Sequence, residues 1–193
     1  MRKSFFVKYS GLLLPLLFLL GFLSGVACIC VFQDYWLTVI TSLEPDFLWK
    51  IEQIDVDKSA LFFLTLGKRL RAFFLLWILS YSLLKNPAAT VFFFYSGACV
   101  GTVMELLAIK YGIRGLLFYL GMILPQALFY TPGYLLLGLF CLNRIRRNGE
   151  GKREKRRKDY RIWMALGSVI IGILLESYVN PELLKMLAGF LLA

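Results

Sequence analysis

The chain contains no histidine at all. A Ser–His or Cys–His couple is therefore impossible, and so is any metal cluster that uses an imidazole. Rhomboid-like proteases, zinc-dependent membrane proteases and histidine proton relays are excluded with them. Charge is also sparse, at 18% of residues. The four cysteines, Cys28, Cys30, Cys99 and Cys141, all lie inside apolar stretches. Cys28 and Cys30 are two apart, so a helix points them to nearly opposite sides, and they suit neither a disulfide nor a chelate. They read as small apolar packing residues. No cofactor or metal site is expected, and the chain does not read as an enzyme.

What is present is hydrophobicity. Apolar residues make up 59% of the chain and the mean hydropathy is +0.70, against about 45–50% apolar in soluble domains. A spanning helix needs roughly 20 mainly apolar residues. Five blocks qualify, at about 11–32, 70–86, 91–109, 115–142 and 162–179. The expected fold class is all-α: one membrane domain over 1–193, a polytopic bundle of about five spans. The basic residues Arg2, Lys3 and Lys8 followed by an apolar run resemble a signal peptide, and "SGVAC" resembles a lipoprotein site. With four spans following, an uncleaved first helix is the better reading.

Basic residues set the expected orientation. Three precede the first block, and segment 143–161 holds ten. The positive-inside rule places both in the cytoplasm. Loop 33–58 and the C-terminus then lie outside, in a multi-pass cell-membrane protein. Segment 143–161 reads first as a topology determinant and second as a contact for anionic lipids. It carries no stacking aromatics, so nucleic acid is not an expected partner.

The outer loop 33–58 is anionic, with Asp34, Glu44, Asp46, Glu52, Asp55 and Asp57, and it carries Trp36 and Trp49. It is either a solvated loop or a docking surface for an extracytoplasmic partner. "KSALFFLTLGKRLR" reads as an interfacial helix ahead of the second span, its Lys68, Arg69 and Arg71 reaching for headgroups. Gly21-x-x-x-Gly25 and Gly97-x-x-x-Gly101 allow close helix packing, within a chain or in a homo-oligomer. Glu105 is the deepest ionisable residue, and an ion pair with Arg71 is expected. Glu176 reads as interfacial.

The stretch "GMILPQALFYTPGYLLLG" poses the sharpest problem. Pro125 and Pro132 each remove a backbone donor, and Gln126 adds an amide. Broken backbone at membrane depth is tolerated only where protein or a wet cavity satisfies it. A central kinked helix with its broken face toward neighbours is expected. The tail from Asn180, with Pro181 next, reads as a short C-terminal helix on the outer face.

The Gly97-x-x-x-Gly101 helix, the Tyr111-Gly112 and Gly115 turn, and Leu124-Pro125-Gln126 followed by Pro132 resemble the stage II sporulation protein M family of endospore-forming bacteria. The likeness is clearest over 66–139. Wider relatives often follow the proline with His-Gly and a Glu, which this chain lacks. Segment 143–161 has no match in the pattern. The resemblance implies a noncatalytic membrane scaffold for engulfment, located at the septal or engulfing membrane. Its implied partners are the peptidoglycan-degrading stage II sporulation proteins D and P. The alternative is a permease subunit served by a separate ATPase, motivated by the broken fourth span and Glu105.

Overall fold

The computed structural model describes residues 2–42, 57–82, 84–143 and 152–192. All of the regular elements among them are helical: α1 (Arg2–Val31), α2 (Gln33–Ser42), α3 (Lys58–Leu79), α4 (Lys85–Tyr111), α5 (Ile113–Asn143), α6 (Lys152–Leu174), a π-helical turn (Leu175–Val179) and α7 (Asn180–Leu192). Four stretches are long and apolar enough to cross a membrane: Leu12–Val31, Asn86–Tyr111, Ile113–Leu142 and Tyr160–Leu187. Their outer faces carry large apolar side chains in the open. Leu12 is 70% exposed, Leu128 69% and Trp163 70%. A surface like that is at home in lipid, and this is a multi-pass membrane protein of the all-α class.

Contacts fix the direction of each helix. Gly21 and Gly25 lie against Phe94 and Ala98, while Gly97 and Gly101 lie against Phe18 and Phe22, so α1 and α4 are parallel. Tyr119 Oη donates to the Val100 carbonyl at 3.0 Å, consistent with α4 and α5 as an antiparallel hairpin. Tyr134 Oη and Cys141 Sγ donate to the carbonyls of Arg69 and Leu76, so α3 and α5 are parallel. Gly133 meets Ala165 and Val169 while Tyr130 meets Gly172, so α6 runs back along α5. The direction therefore alternates through α1, α3, α4, α5 and α6.

The hairpin turn between α4 and α5 is a single residue, Gly112. Its φ of 63° is open to glycine and costly for a side chain with a Cβ. The Gly112 N–H still donates to the Ala108 carbonyl at 2.8 Å, closing α4. The core is one cluster that includes Leu14, Phe73, Leu76, Phe93, Leu137, Val169 and Ile173. Helix α5 packs against α1, α3, α4, α6 and α7 and is the centre of the bundle, as its sequence requires.

Several boundaries differ from those the sequence predicts. The interfacial helix and the second span are one continuous helix, Lys58–Leu79, and the chain turns at Ser80 rather than Asn86. The three basic residues that looked like a membrane-surface face are part of that helix. Helix α6 starts at Lys152, so part of the basic segment 143–161 continues directly into the span. The first ten residues of the outer loop form α2. Helix α5 runs without interruption from Ile113 to Asn143 through both prolines. Pro132 is exposed and Pro125 half-buried, so the proline face is turned only partly toward neighbours. One turn's worth of lost backbone bonding is tolerable because the rest of a 31-residue helix holds the axis.

Candidate functional site

The glycines behave as their spacing predicts, within one chain. A Cβ at Gly21, Gly25, Gly97 or Gly101 would collide with the main-chain carbonyl of Phe94, Ala98, Phe18 or Phe22 respectively. Backbone therefore lies against backbone where Gly21, Gly25, Gly97 and Gly101 meet the facing helix. Nothing polar from a side chain crosses it at these four points. Dispersion and weak Cα–H···O contacts hold it.

The predicted ion pair is replaced by another. Arg71 is exposed and no Arg71–Glu105 pair forms among the described residues. Half-buried Glu105 instead accepts a hydrogen bond from Cys30 Sγ at 3.6 Å, from the far end of α1. The arginine that turns inward is Arg69, two residues earlier on α3. Two residues along a helix is a rotation of about 200°, which moves a side chain from the outer face to the inner one.

Arg69 meets Glu176 in a fork-to-carboxylate arrangement. Nη2 donates to Oε1 at 2.8 Å and Nε to Oε2 at 3.1 Å. Tyr130 of α5 donates its hydroxyl to the same Oε2 at 2.5 Å, and its ring lies 4.8 Å under the guanidinium. Tyr134, one turn along α5, donates to the Arg69 main-chain carbonyl at 3.2 Å. The Glu176 side chain is 19% exposed and that of Arg69 39%. A planar, bidentate pair with a cation–π contact suits arginine and would not survive replacement by lysine. Gly172 makes room for it: a Cβ there would stand 2.6 Å from the Tyr130 ring.

Glu176 is presented by the π-helical turn Leu175–Val179. The cause is local. Pro181 has no N–H, so the Ser177 carbonyl cannot receive its ordinary helical bond, and the Asn180 N–H shifts to the Leu175 carbonyl. π turns of this kind gather at functional sites. Beyond the turn, α7 continues along α5, where Phe118 packs with Leu184 and Leu187 and Gly121 meets Leu187. Lys58 at the start of α3 forms an ion pair with Glu182 at the start of α7.

The outer acids have separate fates. Asp57 is the N-cap of α3 and accepts from Ser59 N at 2.9 Å and Ala60 N at 3.4 Å, so its carboxylate is used locally. Asp34 is exposed in the first turn of α2. Trp36 is half-buried and meets Tyr35 edge-on at 5.7 Å. Glu44, Asp46, Trp49, Glu52 and Asp55 lie outside the described residues, as do positions 144–151 of the basic segment. Gln126 is 7% exposed and points into the bundle.

Arg69, Glu176, Tyr130 and Tyr134 form the one cluster a residue-by-residue reading misses. Arg69 and Glu176 were visible as charged residues near the edges of apolar blocks, and Tyr130 and Tyr134 as tyrosines inside the fourth. Their partnership was not, because the pair is separated by 107 positions.

No curated protein and no solved structure matches the chain. The stage II sporulation protein M family matches it over residues 14–181, from the first buried leucine of α1 to the proline in the first turn of α7. With nearly the whole described bundle inside that match, the chain belongs to the stage II sporulation protein M family, and is a sporulation-related membrane protein.

Proposed function

We propose that this protein is a noncatalytic membrane scaffold that recruits and localises peptidoglycan-degrading enzymes during sporulation engulfment. The family membership is the observation that carries the proposal. On this reading the partners are stage II sporulation proteins D and P, and the location is the septal or engulfing membrane. The composition supports a binding role, since an acid–base couple built on histidine is impossible.

Five crossings support the same reading. Helix α3 carries Lys58, Lys68, Arg69 and Arg71, more charge than the four apolar spans bear over a comparable length. Yet α1 and α4 are parallel, so the chain must come back between them. At 22 residues α3 is about 33 Å long, enough to cross a core of about 30 Å. Pairing Arg69 with Glu176 lowers what that crossing costs. The starts of α1 and α6, both basic, then share one face, which is the cytoplasmic face by the positive-inside rule. Anionic lipid headgroups are the natural counter-charge for segment 143–161 there. The opposite face carries α2, the start of α3 and α7, and is the docking face for extracytoplasmic enzymes.

The permease alternative was motivated by the broken fourth span and by Glu105, which accepts a hydrogen bond from Cys30. Helix α5 is continuous, so the scaffold is the better-supported reading.

Affinity capture of the tagged protein from sporulating cells in mild detergent, read by mass spectrometry, tests the proposal. Enrichment of peptidoglycan hydrolases is expected, and it should fall when Asp34 and Trp36 are replaced by Ala at unchanged abundance. Recovery of a cytoplasmic ATPase with no hydrolase would overturn the proposal in favour of a transporter subunit.

A further inference from the structure

Where α6 passes through the π-helical turn into α7, three side-chain oxygens are buried without a hydrogen-bond partner among the described residues: Gln126 Oε1, Ser177 Oγ and Asn180 Oδ1. Ser177 is fully buried, and Gln126 and Asn180 are each 7% exposed. A buried polar group left unpaired costs about 1–3 kcal/mol. Three on one short joint is far from accidental cost, because native proteins keep such groups to a few per hundred residues.

The three lie together. On α5, Tyr130 meets Gly172 and Glu176, and Gly121 meets Leu187. Gln126 sits between those two contacts, on the same helix face as Tyr130 one turn away. The segment that covers it is therefore the one between Glu176 and Leu187, which contains Ser177 and Asn180. Asn180 is likewise about one turn beyond Glu176, in the same direction as Gln126 is from Tyr130, because α5 and α6 are antiparallel. The Ser177 carbonyl adds a fourth acceptor, deprived of its helical donor by Pro181.

We propose that this joint encloses a binding site for ordered water, bounded by Gln126, Ser177 and Asn180 and adjoining the Arg69–Glu176 pair. The chemistry selects water over a metal cation. The acceptors are neutral oxygens, and the neighbouring carboxylate is already neutralised by a bidentate arginine. A cation would find no uncompensated charge. Water donates and accepts, and typically makes about three hydrogen bonds to groups of this kind. It serves the two amides in either orientation of their O and N. It also takes the role of the missing helical donor, which is how a helix accommodates a proline inside a bilayer.

Water-edited solid-state NMR of the full-length protein in lipid bilayers, with Gln and Asn labelled in the side chain, tests this. The side-chain amide signals of Gln126 and Asn180 should receive water polarisation at short mixing times as strongly as exposed Gln33, and well above the backbone amide of buried Val169. Gln126→Glu keeps the side chain's shape, removes its amide signal and so assigns it, with Gln126→Leu as a second assignment. Signals from Gln126 and Asn180 that stay as dry as Val169 would overturn the site and show that another protein segment supplies the donors.

Discussion

Two helix contacts hold this bundle by opposite means. Between α1 and α4 the glycines bring main chain against main chain, and no charge is involved at those points. Between α3 and the π-helical turn, an arginine, a glutamate and two tyrosines do the joining. In lipid neither contact gains from expelling water, because hydrocarbon tails are as apolar as leucine. The first gains from closeness alone and has no tolerance for added volume. The second depends on matched polar partners and has no tolerance for the loss of one of them.

The largest expected effect breaks the first contact. Gly97→Leu places atoms where the Phe18 carbonyl stands, with backbone on both sides and no flexible side chain to yield. A loss of at least about 3 kcal/mol is expected, lowering the melting temperature by roughly 6–12 °C. Fluorescence-detected thermal unfolding of the detergent-solubilised protein would read it. Gly67→Ala, where a Cβ meets nothing, is the control that should leave the transition in place.

Next comes the second contact. Arg69→Met or Glu176→Leu alone should cost about 2 kcal/mol, below the full figure for a buried pair because Arg69 is partly open. The double variant should be more stable than either single one. If the double variant is as damaged as the sum of the singles, the two residues are not partners. Tyr130→Phe should then cost about 1 kcal/mol, for one hydrogen bond to a charged group. The same size of loss, about 1 kcal/mol, is expected from Asp57→Ala at the N-cap of α3. Smallest of all, Glu105→Gln should change stability by less than about 0.5 kcal/mol, since its partner is a thiol. A large loss there would make Glu105 the more important carboxylate.

The difference also explains what could be read ahead of the structure. Glycine spacing is local, so Gly21-x-x-x-Gly25 and Gly97-x-x-x-Gly101 announce a close contact, though not which helix fills it. The hairpin at Gly112 and the central place of α5 follow from similarly local signals. The tail from Asn180, expected as a separate short helix on the outer face, instead continues the last apolar span, Tyr160–Leu187, because the π-helical turn absorbs Pro181 without ending the helix. Arg69 and Glu176 illustrate the opposite case. Rotation by two residues decides whether Arg69 or Arg71 faces inward, and hydropathy counts both alike. The prolines are ambiguous for a related reason: each removes one donor, and whether a helix breaks depends on what surrounds the freed carbonyl, here that of Gly121 or Leu128.

The parallel pairing of α1 with α4 imposes an order in time. As the chain is made, α1 enters the bilayer first, with its glycine stripe facing lipid. Its partner is not complete until α3 has passed and α4 follows. At about 5–20 residues per second that delay lasts on the order of several seconds. Throughout it, the best-fitted surface of the molecule is unoccupied and open to any other helix with small residues at the right spacing. Because α4 and α5 are tied by one residue, they arrive as a pair, and the waiting helix is met by a hairpin already formed.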